Sequence, residues 1–313
     1  MTTYQAIVLG VGGVGGAALY HLARRGARVV GLDRFPPGHD RGSSHGATRI
    51  IRQAYFEHPG YVPLVLRAYE LWDELAELSG QALREEVGLL QIGPPRGEVV
   101  AGVLASAHAH ELEVEQLAAD DIARRWPGFH VPEGSSGVYE RRAGFLHVER
   151  CVAMHASQAA AAGGELLTGR QVLGWQVDGS GVAVQTNLET LRAESLVICA
   201  GAWANQMLAD TDLHFEVRRK PAFWFETPDE VYHSGRCPAF LYELPHGIFY
   251  GTPQLDAAGV KVAEHTGGEF VPDPLNVNRE IAESDLAPVE RFVRECLPRA
   301  GPRVTRHSVC MYT

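Results

Sequence analysis

Apolar and polar positions change rhythm several times along the chain, and each rhythm predicts a different element. YQAIVL is a mostly apolar run of strand length, and GVGGVGG breaks it. AALYHLARR then carries a helical pattern closed by Gly26, and RVVGLD is a second short run, so residues 4–33 spell a strand, helix, strand unit. In YVPLVLRAYELWDELAELSG, Val65, Tyr69, Trp72 and Ala76 recur at helical spacing. Leu64, Leu71, Leu75 and Leu78 widen that face and Gly80 ends it, which predicts a largely buried helix.

Residues 88–144 are mixed and Pro-rich, with a helix expected over 97–111, and a further helix over 148–162 stops at Gly163-Gly164. QVLGWQVDGSGVAVQTN alternates around a DGSG turn as a hairpin, and ESLVICAGAWA reads as a buried strand running into a second glycine turn. The rest is strand-rich: VRRKPAFWFE, the hairpin AFLYELPHGIFYG folded over Pro-His-Gly, GVKVAEH and RHSVCMYT. The predicted class is α/β, α+β overall. A discontinuous Rossmann-like FAD/NAD(P)-binding domain (1–75 and 143–212) is joined to a substrate domain on a mixed antiparallel sheet (76–142 and 213–313).

Composition narrows the function classes. A chain of 313 residues, 45% hydrophobic and 21% charged, has the make-up of a globular protein with room for two cores. The net charge of -10, without a long Lys or Arg run, argues against a nucleic-acid or anionic-membrane partner. Cys151, Cys199, Cys237, Cys296 and Cys310 are odd in number and lack a CxxC pair, so no disulfide framework and no metal site is expected. A reducing, cytoplasmic setting fits that usage. The apolar stretch near the start lacks a basic lead and is too rich in glycine to span a bilayer.

Chemistry enters at Gly10, Gly12 and Gly15, a GxGxxG that follows a strand, opens a helix and precedes Asp33 at the end of the next strand. Such glycines let the backbone approach a pyrophosphate at the helix N-terminus, and Asp33 can accept from ribose hydroxyls. The carboxylate disfavours a 2′-phosphate, which makes NADP the poorest fit and leaves FAD and NAD open. In GSSHGATRIIRQAY, a helix starting near Ser43 or Ser44 would put His45, Arg49 and Arg52 on one face, with no acid before Glu57. Three cations without partners suit an anionic ligand such as a carboxylate; the alternative is a solvated basic face, and Gly46 weakens the helix. Alternation in GVKVAEH sends Lys261, Ala263 and His265 to one side and Val260 and Val262 to the other, with the polar side facing a cavity.

GSSHGATRIIRQAY with YVPLVLRAYELW, then ARRWPGF, VICAGAW, YELPHGIFYG, GVKVAEHTGG and VCMYT, resemble the monomeric sarcosine oxidase and N-methyltryptophan oxidase family in order and over essentially the whole chain. These are flavoenzymes of the D-amino-acid-oxidase-like superfamily. The resemblance implies FAD bound covalently through Cys310, a residue that pattern alone would make an inert buried thiol. Neighbouring Arg306 and His307 are candidates for activating it. The expected cofactor-binding set is Gly10, Gly12, Gly13, Gly15, Asp33, Arg34, Ser43 and Cys310. Arg52 matches the residue that pairs with the substrate carboxylate, His45 and Arg49 match residues packed near the flavin ring, and Thr48 matches a neighbour that helps to place water. Lys261 matches the oxygen-activating lysine, where pattern alone would make it a solvated strand lysine; His265, Tyr250 and Tyr312 match further pocket residues. Ser44 and Ala47 depart from the His and Asp that relatives often carry.

The implied reaction oxidises sarcosine or another N-methyl amino acid to an imine, which water hydrolyses to formaldehyde and the demethylated amino acid, while oxygen becomes hydrogen peroxide. The expected partners are that small molecule and oxygen, with the protein a monomer. Rival readings are an NAD-dependent dehydrogenase and a catalytically silent nucleotide-binding fragment. In relatives the chain continues past the cysteine strand with a return segment carrying a flavin-contacting glycine turn and a second carboxylate-binding lysine. With RHSVCMYT as the last stretch, the expectation is weak flavin retention and poor solubility unless a complementing C-terminal fragment supplies that segment.

Overall fold

The computed structural model describes residues 3–313. β1 (Thr3–Leu9) leads through α1 (Gly13–Arg24) to β2 (Val29–Leu32), followed by β3 (Thr48–Ile51), α2 (Val62–Ser79), β4 (Arg84–Glu85) and β5 (Leu89–Gly93). Then come α3 (Glu98–Ala109), β6 (Glu115–Leu117), α4 (Ala119–Arg125), β7 (Ser136–Glu140), β8 (Gly144–His147) and α5 (Val148–Ala161). β9 (Glu165–Leu167), β10 (Val172–Asp178), β11 (Gly181–Thr186) and β12 (Thr190–Ile198) precede the short α6 (Ala204–Met207). The last stretch holds β13 (Arg218–Phe225), β14 (Ala239–Leu244), β15 (Gly247–Thr252), β16 (Val260–Glu264), α7 (Glu283–Cys296) and β17 (Val304–Tyr312).

One sheet runs β10-β11-β12-β1-β2-β9, with β1 parallel to both β12 and β2, and with the β10/β11 hairpin antiparallel at its edge. A parallel strand is covered on both faces, which is why YQAIVL is nearly continuous in apolar residues. Ala6 and Val8 pack towards Leu19, Ala23 and Ala159 of α1 and α5, while Ile7 packs towards Val30, Leu32 and Val184. The second sheet runs β17-β13-β16-β15-β14-β5-β7-β6, antiparallel except at the β14/β5 junction. One face of it, with Phe223, Phe225, Phe249, Val260 and Val262, is closed by Val289, Phe292 and Val293 of α7, and Phe249 and Phe292 stack at 4.8 Å and 6°. β3, β8 and β4 form a third, small sheet between them in the sequence.

Two expectations about burial fail. In α2 only Val62, Tyr69 and Leu75 are buried, while Leu64 is 70% and Leu78 is 59% exposed, because the helix is covered along one stripe and its apolar positions wrap beyond it. β12 is buried at Ala193 but only half-buried from Leu196 to Ile198, because its C-terminal end opens onto a cavity. No helix among the described residues is long and apolar enough to cross a membrane.

Candidate active site

The cavity, about 430 Å³, lies at the C-terminal ends of β1, β2 and β12, where an open parallel sheet ordinarily receives its ligand. Its floor is the glycine turn. A Cβ on Gly10, at φ +86°, would stand 2.4 Å from the Cys199 carbonyl oxygen, and one on Gly15 would stand 1.7 Å from the Gly10 oxygen, so neither position admits a side chain. Asp33 is held in place by two backbone donors: Val11 N–H reaches Oδ2 at 2.7 Å and Phe35 N–H reaches Oδ1 at 2.9 Å. Each carboxylate oxygen keeps lone-pair capacity for a ribose hydroxyl. Gly12, Gly13, Arg34 and Ser43 line the same cavity, and Gly13 N–H donates to Ser44 Oγ at 3.0 Å. A backbone cradle with no room for Cβ atoms, ending in a braced carboxylate, fits a dinucleotide. The opposite wall, with Val172, Cys199, Trp203 and Met207, was not assigned from the sequence, although the glycine turn in VICAGAW marks where it begins.

The second group lies on the polar face of the eight-stranded sheet and on the segment that crosses it. That segment is not helical. Gly46 (φ 96°) and Ala47 (φ 68°) are left-handed, and Glu149, in the first turn of α5, fixes them by accepting from Gly46 N–H at 2.7 Å and Ala47 N–H at 3.0 Å. Thr48–Ile51 then pairs with β8, as its β-branched residues favour. His45, Arg49 and Arg52 therefore do not share one helical face.

They are not three free cations either. Burial, then the charge of Arg279, pushes His45 down to about 4, so its imidazole is neutral near pH 7; its Nδ1 lies 3.3 Å from Ser308 Oγ. Arg49 Nη2 donates to the carbonyls of Ser43 (2.8 Å) and His45 (3.0 Å) and approaches Cys310 Sγ at 3.9 Å. Arg52 places one nitrogen on both Glu57 oxygens, at 2.6 and 2.7 Å, and its guanidinium lies 4.1 Å from the Tyr55 ring centre.

Cys310 is buried on β17 with its thiol 3.3 Å from the Ser43 carbonyl. The cation beside it is Arg49 rather than Arg306 or His307. Arg306 pairs with Asp256 at 3.2 Å and covers the Trp224 ring, and strand alternation turns exposed His307 to the other face. Lys261 is 3% exposed, which removes the solvated reading. Its ammonium donates to Gly46 O (2.6 Å), Thr48 O (3.1 Å) and Thr48 Oγ1 (3.2 Å), and Thr48 Oγ1 also meets Thr252 Oγ1 at 3.1 Å. Burial, then the nearby Arg49, lowers Lys261 to about 7. Tyr312 OH lies 3.4 Å from Tyr250 OH and 3.5 Å from His265 Nδ1. Burial raises both phenols, so they remain protonated near neutrality.

The structure thus gathers Ser43, His45, Arg49 and Cys310 in one cluster, Thr48 with Lys261 in a second, and Tyr250, His265 and Tyr312 in a third. Arg52 stands with Glu57 on the loop after β3. Glu149 and Arg279 were not found from the sequence; Arg279 donates to Val309 O at 3.0 Å, next to Cys310.

Comparison with known proteins gives these clusters a context. Residues 5–313 match the family described as FAD dependent oxidoreductase, which overturns the NAD-dependent reading. The chain is 38% identical over 316 residues to monomeric sarcosine oxidase of Streptomyces avermitilis, covering 99% of this chain and 82% of that protein. It is 35% identical over 300 residues to N-methyl-L-tryptophan oxidase of Salmonella dublin, covering 95% and 80%. The solved structure of NikD, described as an unusual amino acid oxidase essential for nikkomycin biosynthesis, matches with a TM-score of 0.84 at 25% identity, over 99% of this chain and 82% of NikD. With a glycine-lined backbone cradle on one sheet and a buried lysine beside half-buried tyrosines and a histidine on the other, the chain belongs to the FAD-dependent oxidoreductase family, as a flavin-dependent amine oxidase related to monomeric sarcosine oxidase and N-methyl-L-tryptophan oxidase.

Proposed function

We propose that the protein oxidises the secondary amine of an N-methyl amino acid, sarcosine or a bulkier one, to an imine that water hydrolyses to formaldehyde and the demethylated amino acid, with hydrogen peroxide as the reduced product of oxygen. The observation that carries this reading is Lys261: a buried ammonium seated on carbonyl and hydroxyl oxygens, whose charge remains available to a reacting partner. FAD, when bound, supplies the two-electron acceptor.

The residues then divide the work. Gly10, Gly12, Gly13, Gly15, Asp33, Arg34 and Ser43 hold the dinucleotide, and Cys310 anchors the flavin covalently with Arg49 and His45 beside it. Arg52 takes the substrate carboxylate in exchange for Glu57. Tyr250, His265 and Tyr312 form a neutral, hydrogen-bonding wall that orients the uncharged amine, and Thr48 places water. Lys261 puts positive charge where oxygen is reduced. We assign the cofactor-binding part to 1–75 and 143–212 and the substrate part to 76–142 and 213–313.

A peroxidase-coupled assay of the FAD-supplied protein with sarcosine and with N-methyl-L-tryptophan tests the reaction. Peroxide and formaldehyde in equal amounts are expected, and peroxide with neither amine would overturn it. Acid precipitation tests the anchor: flavin absorbance should stay in the wild-type pellet and leave with the supernatant in Cys310→Ser.

A further inference from the structure

The polar face of the eight-stranded sheet carries a second buried lysine that none of the roles above uses. Lys220 lies on β13, 5% exposed, directly opposite Cys310 in the β13/β17 register. Its ammonium donates to Thr266 O at 2.6 Å and Gly267 O at 3.5 Å, and it stands 5.3 Å from the centre of the Tyr312 ring. These acceptors are carbonyls rather than a carboxylate, and the acid that acts on the ammonium, Glu264, only partly offsets its burial. Such a charge is expensive to keep when an uncharged side chain would fill the same space.

The position of those contacts gives the lysine a purpose. Thr266 directly follows His265, so the ammonium pins the turn that carries the imidazole. That turn closes onto the lysine stem: a Cβ on Gly268 would come within 3.1 Å of Lys220 Cδ. The Tyr312 ring neighbours both the ammonium and the His265 ring, whose centre is 5.6 Å from its own. The Tyr312 hydroxyl meets both His265 Nδ1 and Tyr250 OH.

We propose that Lys220 is a positioning residue of the amine pocket: through the Thr266 and Gly267 carbonyls and the Tyr312 ring it fixes His265 and Tyr312 against Tyr250, and it places a positive charge behind that wall. This rests on the reading of Tyr250, His265 and Tyr312 as the pocket wall. The ionisable groups that face His265 are Lys220 from β13, Tyr250 from β15, Tyr312 from β17 and the Arg52–Glu57 pair from the loop after β3. Burial first, then Lys220, holds the imidazole below its ordinary value, with Glu57 opposing and Arg52 assisting. Lys220 is itself lowered by burial to about 8, so it is charged throughout the range in which His265 takes up its proton. Removing the cation makes that proton easier to bind.

The test follows the His265 ring proton by NMR across pH in wild type, Lys220→Met and Lys220→Arg, with His265→Asn to assign the resonance. In K220M the His265 inflection should move up by about one pH unit, the size expected for losing one nearby charge, and K220R should restore it. In amine turnover, K220M should raise KM about tenfold with a smaller change in kcat, the pattern of lost substrate positioning. If K220M does not fold, K220Q takes its place. An unchanged His265 titration in a folded variant would overturn the proposal. The NMR arm needs no turnover, so a protein inactive towards N-methyl amino acids would sink the proposed reaction while the Lys220 arrangement is still judged by the titration.

Discussion

The dinucleotide cradle and the polar face of the second sheet are built on opposite principles. The cradle is a backbone object: Gly10 and Gly15 lack side chains because carbonyl oxygens of Cys199 and Gly10 stand where a Cβ would go, and Asp33 is positioned by the N–H groups of Val11 and Phe35. The polar face is a side-chain object, in which Lys261, Cys310, His265 and Tyr312 find their partners across two or more elements. A backbone site tolerates almost no added atom, because the space a side chain would need is already filled by main-chain oxygens. A side-chain site tolerates conservative change in shape and answers sharply to a change in charge.

The largest effect should come from the cradle. Gly15→Val drives a branched side chain into the Gly10 carbonyl and should abolish FAD retention and lower stability by about 3 kcal/mol or more; thermal unfolding and FAD titration read both. A variant that keeps wild-type flavin affinity would erase the contrast with the polar face.

On the polar face, Lys261→Met should slow reoxidation by oxygen on the order of a hundredfold while leaving anaerobic flavin reduction by the amine close to wild type, as stopped-flow absorbance would show. Because Lys261 is lowered to about 7, the wild-type oxygen step should also weaken as pH rises through 7, and K261M should lose that dependence. The unfolded chain keeps this proton up to about 10.5, so the same residue makes folding more favourable as pH rises from about 7 to 10.5.

The smallest effect belongs to the Arg52 loop. Glu57→Gln removes the internal carboxylate that engages one Arg52 nitrogen, and should lower KM for the amino acid by about threefold, the worth of a partly exposed ion pair. A rise in KM would mean that Glu57 holds Arg52 in place for substrate rather than competing with it.

The sequence was most readable where a short stretch contains its own reason. GxGxxG, the Pro-His-Gly hairpin turn and the alternation that buries Val260 and Val262 while turning Lys261 the other way are all decided within a few residues. Residues 43–52 were misread because spacings of four and seven fit a helix on paper, whereas the left-handed backbone at Gly46 and Ala47 is set by Glu149, about 100 positions away. Glu57 marked the end of the basic run, yet it folds back as the partner of Arg52. At Cys310 the nearest cations in sequence turn elsewhere, and Arg49, 261 positions distant, takes their place. Pairing of charges is a tertiary fact, and proximity along the chain is a weak guide to it.

The Glu149 clamp has a consequence for how such a protein can change over time. Its carboxylate belongs to α5, which packs on α1 behind the nucleotide turn, and it holds the two N–H groups of the bend whose Gly46 carbonyl receives the Lys261 ammonium. A substitution that shifts α5 therefore also shifts the seat of Lys261. The two halves of the site are therefore coupled: the bend at residues 46–47 can be exchanged only along with the helix that grips it.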